Sequence, residues 1–244
     1  PYSFTTSNSG MGEVKNNTEF CADASKVGSY TFTIKDSSGQ FKTYSMMTRG
    51  PIREFSMDPK RWNILYGKNM PLYPSAYGLD SWAVQFPQID QGILGYITQT
   101  VYPGYLESGR TLRAQITIEA DPEVIFDHYT NPNNTSPFPA HVRFMLQRGK
   151  TLSYDPMDRW WANPTALKLE EGTGEMIVSL SPEHWTNMNG QRGNASATTL
   201  AGFSRALREI HQVGFTFGGG YFFGHGVRVT NGQAKFILDD LTIE

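Results

Sequence analysis

Two tryptophans stand side by side in DPMDRWWANP, Asp155–Pro164, a polar stretch bounded by proline. An exposed indole there could stack on the apolar face of a pyranose ring while polar neighbours bond its hydroxyls. Adjacent side chains on a strand point to opposite faces, so Trp160 and Trp161 cannot both do this on one surface. The competing reading packs one or both against the core. A second aromatic cluster, LYGKNMPLYPSAYGLDSW, brings Tyr66, Tyr73 and Tyr77 into a loop with Trp62 and Trp82 at its flanks. The candidate ring set is therefore Trp160, Trp161, Tyr73, Tyr77 and Trp82, and the ligand such rings suit is a polysaccharide or other glycan.

Acids offer a different chemistry. EADPEVIFD holds Glu119, Asp121, Glu123 and Asp127, and Glu170 and Glu171 form a second group. Glycoside hydrolysis needs two carboxylates about 5–5.5 Å or about 6.5–9.5 Å apart, a spacing in three dimensions that sequence does not supply. Surface solvation accounts for these acids more simply. No serine sits in a G-x-S-x-G elbow. His225 lies between glycines in FFGHGV, where it can approach a backbone or a ligand closely, although a lone histidine is more often a hydrogen-bonded structural residue. His128, His141, His184 and His211 show no i,i+4 zinc spacing. GFTFGGG lacks the Lys-Ser/Thr ending of a phosphate loop and follows a helical stretch instead of opening one, so its glycines are read as sites of close packing or a sharp bend. No catalytic residue is assigned.

Composition narrows the partners. The chain of 244 residues carries a net charge of −2, which gives no electrostatic footprint for nucleic acid or an acidic membrane. No stretch approaches the roughly 20 apolar residues of a membrane span. Cys21 is the only cysteine, which excludes an internal disulfide. The Asn/Thr/Ser/Gly-rich, aromatic composition is that of secreted or cell-surface β domains. Asn16, Asn133, Asn134 and Asn194 each open an N-x-S/T pattern, which matters only in a eukaryotic secretory host. A chain opening on Pro1 reads as a mature secreted terminus or a trimmed one.

The elements that must position these residues are mainly strands. SYTFTIKD, Ser29–Asp36, alternates Tyr30, Phe32 and Ile34 against polar residues, and Phe41–Met47 returns as its hairpin partner across SSGQ. Ser81–Phe86, Gly92–Tyr102, Ala140–Gly149 and Glu175–Leu180 read as further strands. After a turn at Glu107–Gly109, the run to Asp121 places Leu112, Ala114, Ile116 and Ile118 on one face. Thr199–Gly214 is the one helix, with Leu200, Phe203, Leu207 and Ile210 as its apolar stripe. Phe215 and Phe217, two apart, belong to one strand face. Thr230-Asn231-Gly232 is a strong hairpin signal. Many short strands, one helix and no βα alternation predict an all-β fold, an antiparallel β-sandwich with one peripheral helix. Residues 1–10 read as a flexible N-terminal arm and 11–244 as one domain.

The second half has a familiar order. YLESGRTLRAQITIEAD, EHWTNMNG and the closing KFILDDLTIE resemble successive elements of the galactose-binding-like jelly rolls, in the layout of carbohydrate-binding modules of families four, nine and twenty-two. The resemblance covers about residues 105–244 and implies a jelly-roll sandwich. The FGGGYFFGHG run departs from that layout. In the last strand Ala234, Phe236 and Leu238 share a face, whereas Leu241 and Ile243 continue on the other parity. A bulge at Asp239–Asp240 would repair the phase. In the modules this chain resembles, an equivalent aspartate often binds a structural calcium. Asp239 and Asp240 are thus the metal candidates, with Glu13, Asp23 and Asp36 as sources of further oxygens; the alternative is a solvated or hydrogen-bonded edge pair.

These readings converge on an extracellular, non-catalytic β-sandwich that binds carbohydrate through aromatic loops. Two alternatives remain in view: a surface or matrix subunit that self-assembles through exposed edges and its N-terminal arm, and a polysaccharide-active enzyme.

Overall fold

Apolar side chains at every second residue can share one buried face only if the backbone is extended. Thr111–Ala120 shows the rule at work, with Leu112, Ala114, Ile116 and Ile118 all buried between less buried polar neighbours. The computed structural model describes residues 3–6, 12–15, 19–22, 28–35, 38–48, 53–65, 67, 69–103, 106–128, 139–149, 154–163, 165–219 and 226–244. Its contacts divide the chain into two units, Pro1–Arg53 with Glu244, and Glu54–Ile243.

The first unit carries β1 (Ser3–Thr6), β2 (Gly12–Lys15), β3 (Glu19–Ala22), β4 (Gly28–Lys35) and β5 (Phe41–Thr48). The expected hairpin is β4 on β5, in register from Gly28 opposite Thr48 to Lys35 opposite Phe41. Gly39 supplies the left-handed turn position at φ 86°. Within the segment expected as an arm, Ser3–Thr6 is a strand paired with β4. β2 and β3 form a separate two-stranded ribbon.

The chain continues through β6 (Arg53–Glu54), β7 (Trp62–Leu65), β8 (Ser75–Tyr77), β9 (Ser81–Gln85), β10 (Tyr96–Thr100), β11 (Thr111–Ala120) and β12 (Ile125–His128). Then come β13 (His141–Arg148), β14 (Arg159–Ala162), β15 (Leu167–Lys168), β16 (Gly172–Ser179) and β17 (Trp185–Asn187). The helix α1 (Ala197–Arg208) precedes β18 (Ile210–Gly218), β19 (Val227–Thr230) and β20 (Ala234–Ile243). One sheet has the order β17-β14-β13-β18-β10-β7, the other β16-β11-β20-β9-β8, and their ladders are antiparallel. Between them lies an aromatic core. Trp62 meets Trp82 at 4.8 Å between ring centroids, and Phe236 of β20 touches both Phe215 (5.5 Å) and Phe217 (5.1 Å) of β18. Phe215 and Phe217 share the inward face, as their spacing predicts. The fold is an all-β antiparallel sandwich with one peripheral helix. No helix among the described residues is long and apolar enough to cross a membrane.

Two local expectations need correction. The helix stops at Arg208, not at Gly214. Ser196 caps it by accepting from the Thr199 N–H at 3.1 Å, and Phe203 packs on Trp160. From Ile210 the chain becomes a central strand with hydrogen-bonded neighbours on both sides, which overrides the helical stripe. Leu200 is left 45% exposed. The Asn231-Gly232 turn does form, with φ of 58° and 137°. Yet the strands it joins pair elsewhere: β19 with β12, and β20 with β11 and β9. A turn sets a reversal; the ladders are chosen by which faces must be buried.

Candidate functional site

Three of the five candidate rings belong to the core. Trp160 and Trp82 are 0% exposed and Trp161 is 1% exposed, which corrects the expectation that they meet a glycan. The Trp160 indole N–H donates to the Met157 carbonyl at 3.0 Å, so even its polar edge is satisfied internally. The two adjacent tryptophans do point to opposite faces. Trp160 joins the main core, and Trp161 packs with Tyr96 and Met145 on the other face of the same sheet.

That second face is buried as well, which the alternation of Ala140–Gly149 did not reveal. Val142, Phe144 and Leu146 face the core, while Arg143, Met145 and Gln147 are buried on the opposite side. Burial pulls the Arg143 guanidinium down to about 10. The ladder places Thr216 opposite both Arg143 and Tyr96, and Thr98 beside Gly214. The Thr98 and Thr216 hydroxyls are buried without a hydrogen-bond partner among the described residues. Polar residues buried in a strand do not announce themselves by periodicity, because alternation reports only which residues are apolar.

Tyr73 is the open ring, 45% exposed, beside Leu72 at 71%. Its loop is pinned at three points. Ile64 N donates to Leu72 O at 2.8 Å and Met70 N to Gly67 O at 3.2 Å. Asn69, in the left-handed region at φ 61°, donates its side-chain amide to Gln91 O at 3.0 Å. Pro74 has no N–H to extend the β8 ladder, so pairing with β9 ends at Ser75 opposite Ala83. Phe86 N bonds Ala234 O on the β20 side, so antiparallel alternation turns the Gln85 backbone groups towards the edge that β8 leaves open. Tyr73, Pro74, Gln85 and Gln91 line a cleft of about 240 Å³ at that edge. It combines an exposed aromatic wall, side-chain amides and an open strand edge.

Tyr77 is arranged differently. Its hydroxyl donates to Glu119, and the Lys235 ammonium sits 4.9 Å from its ring centroid and 2.9 Å from Glu119. The hydrogen bond from Tyr77, then that from Lys235, holds the Glu119 carboxyl below its ordinary range. The same bond raises Tyr77, and Glu119 raises Lys235. Glu119 is therefore kept as an anion that accepts hydrogen bonds, which does not suit a proton donor to a leaving group. One face of Tyr77 is occupied by Lys235, leaving Tyr73 as the open platform. Glu119, Asp121, Gln233 and Lys235 line a shallower trough of about 230 Å³, which shares Gln85 with the Tyr73 cleft.

The fold also brings the two acid groups of the sequence to one place. Asp121, Asp127, Glu170 and Glu171 line a cleft of about 540 Å³. No group of three or more His, Cys, Asp or Glu among the described residues is placed to hold a metal ion. His225, Asp23, Asp36 and Tyr66, and the side chain of Glu13, lie outside the described residues.

The β20 bulge is present where the phase break indicates. Gln115 pairs with Asp240 and Ile116 with Leu238, so Asp239 is the additional residue. The Asp239 carboxylate accepts from Thr117 Oγ1 at 2.7 Å and, more weakly, Ser81 Oγ at 3.4 Å, while Asp240 is exposed. Calcium takes about six to eight oxygens. The described residues place one half-buried carboxylate there, already accepting two hydroxyls, while the further oxygens the sequence offers, from Glu13, Asp23 and Asp36, lie outside them. Replacing Asp239 by alanine should cost about 1.5 kcal/mol through the lost charge-assisted bonds, lowering Tm by about 3–6 °C. A calcium ion at Asp239 would make that loss larger in calcium than in chelator. A native Tm unmoved by chelation would dismiss the ion.

No family model matches the chain, and no curated protein matches it. Similar solved structures include a carbohydrate-binding module from the β-sandwich superfamily, described for promiscuous specificity. It is 10% identical with a TM-score of 0.36, over 100% of this chain and 84% of that one. A putative glycoside hydrolase from Bacteroides thetaiotaomicron is 7% identical with a TM-score of 0.32, over 98% and 82% of the two chains. CBM51-2 in complex with GlcNAc, with INT domains, from Clostridium perfringens ZmpB is 9% identical with a TM-score of 0.24, over 100% and 40%. At such identities and scores the fold rests on the sheets themselves, and the site on its own geometry.

Proposed function

We propose that this sandwich is a non-catalytic carbohydrate-binding protein acting outside the cell, with the Tyr73 cleft as its contact site. The observation that carries the reading is the exposed Tyr73 ring at the wall of a cleft whose polar groups are amides and strand-edge backbone. A pyranose presents an apolar face to an aromatic ring and hydroxyls around its rim, and this wall answers both. The resemblance of Tyr105–Glu244 to carbohydrate-binding modules supports the same class. Tyr77 contributes by fixing Glu119 and Lys235 beside the cleft.

The test is an array of neutral oligosaccharides followed by calorimetry on the hits. Tyr73→Ala should weaken binding by at least about tenfold, as loss of a central aromatic contact does. Its Tm should stay near that of the native protein, because the ring is half exposed. Native affinity in Tyr73→Ala would remove the cleft from the reading.

A further inference from the structure

The Tyr73 cleft is not isolated. It meets the Lys235 trough at Gln85, and the trough meets the third cleft at Ala120 and Asp121. The three therefore adjoin one another on the second unit through shared lining residues, and their charges are unevenly matched. Apart from Tyr73, no ionisable side chain among the described residues lines the first cleft. Each lysine among the described lining residues farther along is held by a carboxylate: Lys235 by Glu119 at 2.9 Å and Lys168 by Glu170. Asp121 accepts the Gln233 N–H at 2.7 Å and has no cation partner among the described residues, nor has Glu171.

We infer that these adjoining clefts select glycans by charge, accepting uncharged chains and excluding polyuronates and sulfated chains, with Asp121 and Glu171 as the selecting residues. The inference rests on the carbohydrate reading of the Tyr73 cleft and adds the ligand class. A polyanionic chain gains affinity from cations that are free to pair with it, as nucleic-acid binding illustrates. Here both lysines among the described lining residues are paired, and a chain laid past Gln85 would bring its carboxylates or sulfates against two carboxylates without a cation partner among the described residues. Like-charge juxtaposition of this kind suppresses wrong partners. The protein as a whole is nearly neutral at −2, so the discrimination is local to these clefts and is not a general repulsion of anions.

The experiment uses the full chain and compares two hexasaccharides, neutral cello-oligosaccharide or manno-oligosaccharide and oligogalacturonate, at 0.05 M and 0.5 M salt. The neutral chain should bind at least about tenfold more tightly at low salt, with the gap narrowing at high salt as charge is screened. Asp121→Asn with Glu171→Gln alters two exposed side chains and should leave the fold intact. This variant should gain oligogalacturonate binding at low salt and so narrow the gap to the neutral chain. Equal affinity of the native protein for both chains overturns charge selection while leaving the Tyr73 reading standing. An unchanged anionic affinity in the double variant overturns the role of the acidic end. If neither chain binds, and the array shows no Tyr73-dependent ligand, the carbohydrate reading falls and takes this inference with it.

Discussion

Replacing Gly214 by valine is expected to leave little folded protein, although the residue touches no ligand and is not in a turn. Gly214 lies in β18 between Thr98 of β10 and Met145 of β13. A Cβ there would stand 2.0 Å from the Ile97 carbonyl oxygen and 2.7 Å from Thr98 Cα. Both are backbone atoms of a strand itself held on its other side by β7, so neither can move without opening a ladder. Overpacking usually costs about 1–3 kcal/mol where side chains can shift. Here the obstruction is backbone, and the cost should be about 3 kcal/mol or more. Gly214→Ala should show most of the effect. Denaturant unfolding would measure it, and an alanine variant melting within about 2 °C of the native protein would contradict the close approach.

Trp160→Ala should be the next most damaging change and should act on stability alone. The indole is completely buried, meets Phe203 edge-on at 5.2 Å and donates to Met157 O. Truncating a buried tryptophan costs about 3–5 kcal/mol through lost transfer energy and the cavity left behind, or about 10 °C in Tm for a domain of this size. Trp160→Phe should recover part of the loss by keeping a ring against Phe203. Glycan affinity per folded molecule should be unchanged in both. A variant of native Tm that has lost glycan binding would return Trp160 to the ligand site and contradict its burial.

What the sequence by itself determined is the strand grammar. Leu112, Ala114, Ile116 and Ile118 are buried together because period two leaves no other way to hide them. Phe215 and Phe217 follow the same rule. The phase break located a bulge to the Asp239–Asp240 step, since a strand that must keep its apolar side inward can change parity only by adding one residue, and the register makes that residue Asp239. The glycines of GFTFGGG were marked for close packing, and Gly214 bears this out against β10.

Tertiary structure decided everything that depends on a second surface. Composition could not tell an exposed Trp160-Trp161 pair from a buried one, because the same rings suit a sugar or a core; α1 and the two sheets settled both as buried. Periodicity ended at the apolar residues, so Arg143 and Gln147 gave no sign that their face of the sheet is buried too. The helix pattern ran on past Arg208 until ladder pairing on both sides of Ile210–Gly218 outweighed it. The same is true of the clefts. Tyr73 and Gln85 line one cleft, Gln85 and Asp121 a second, and Asp121 and Glu171 a third, and segments distant in the chain line them. Local spacing governs which way a side chain points; what it then meets is set by strands distant in sequence, and that is where a binding site is made.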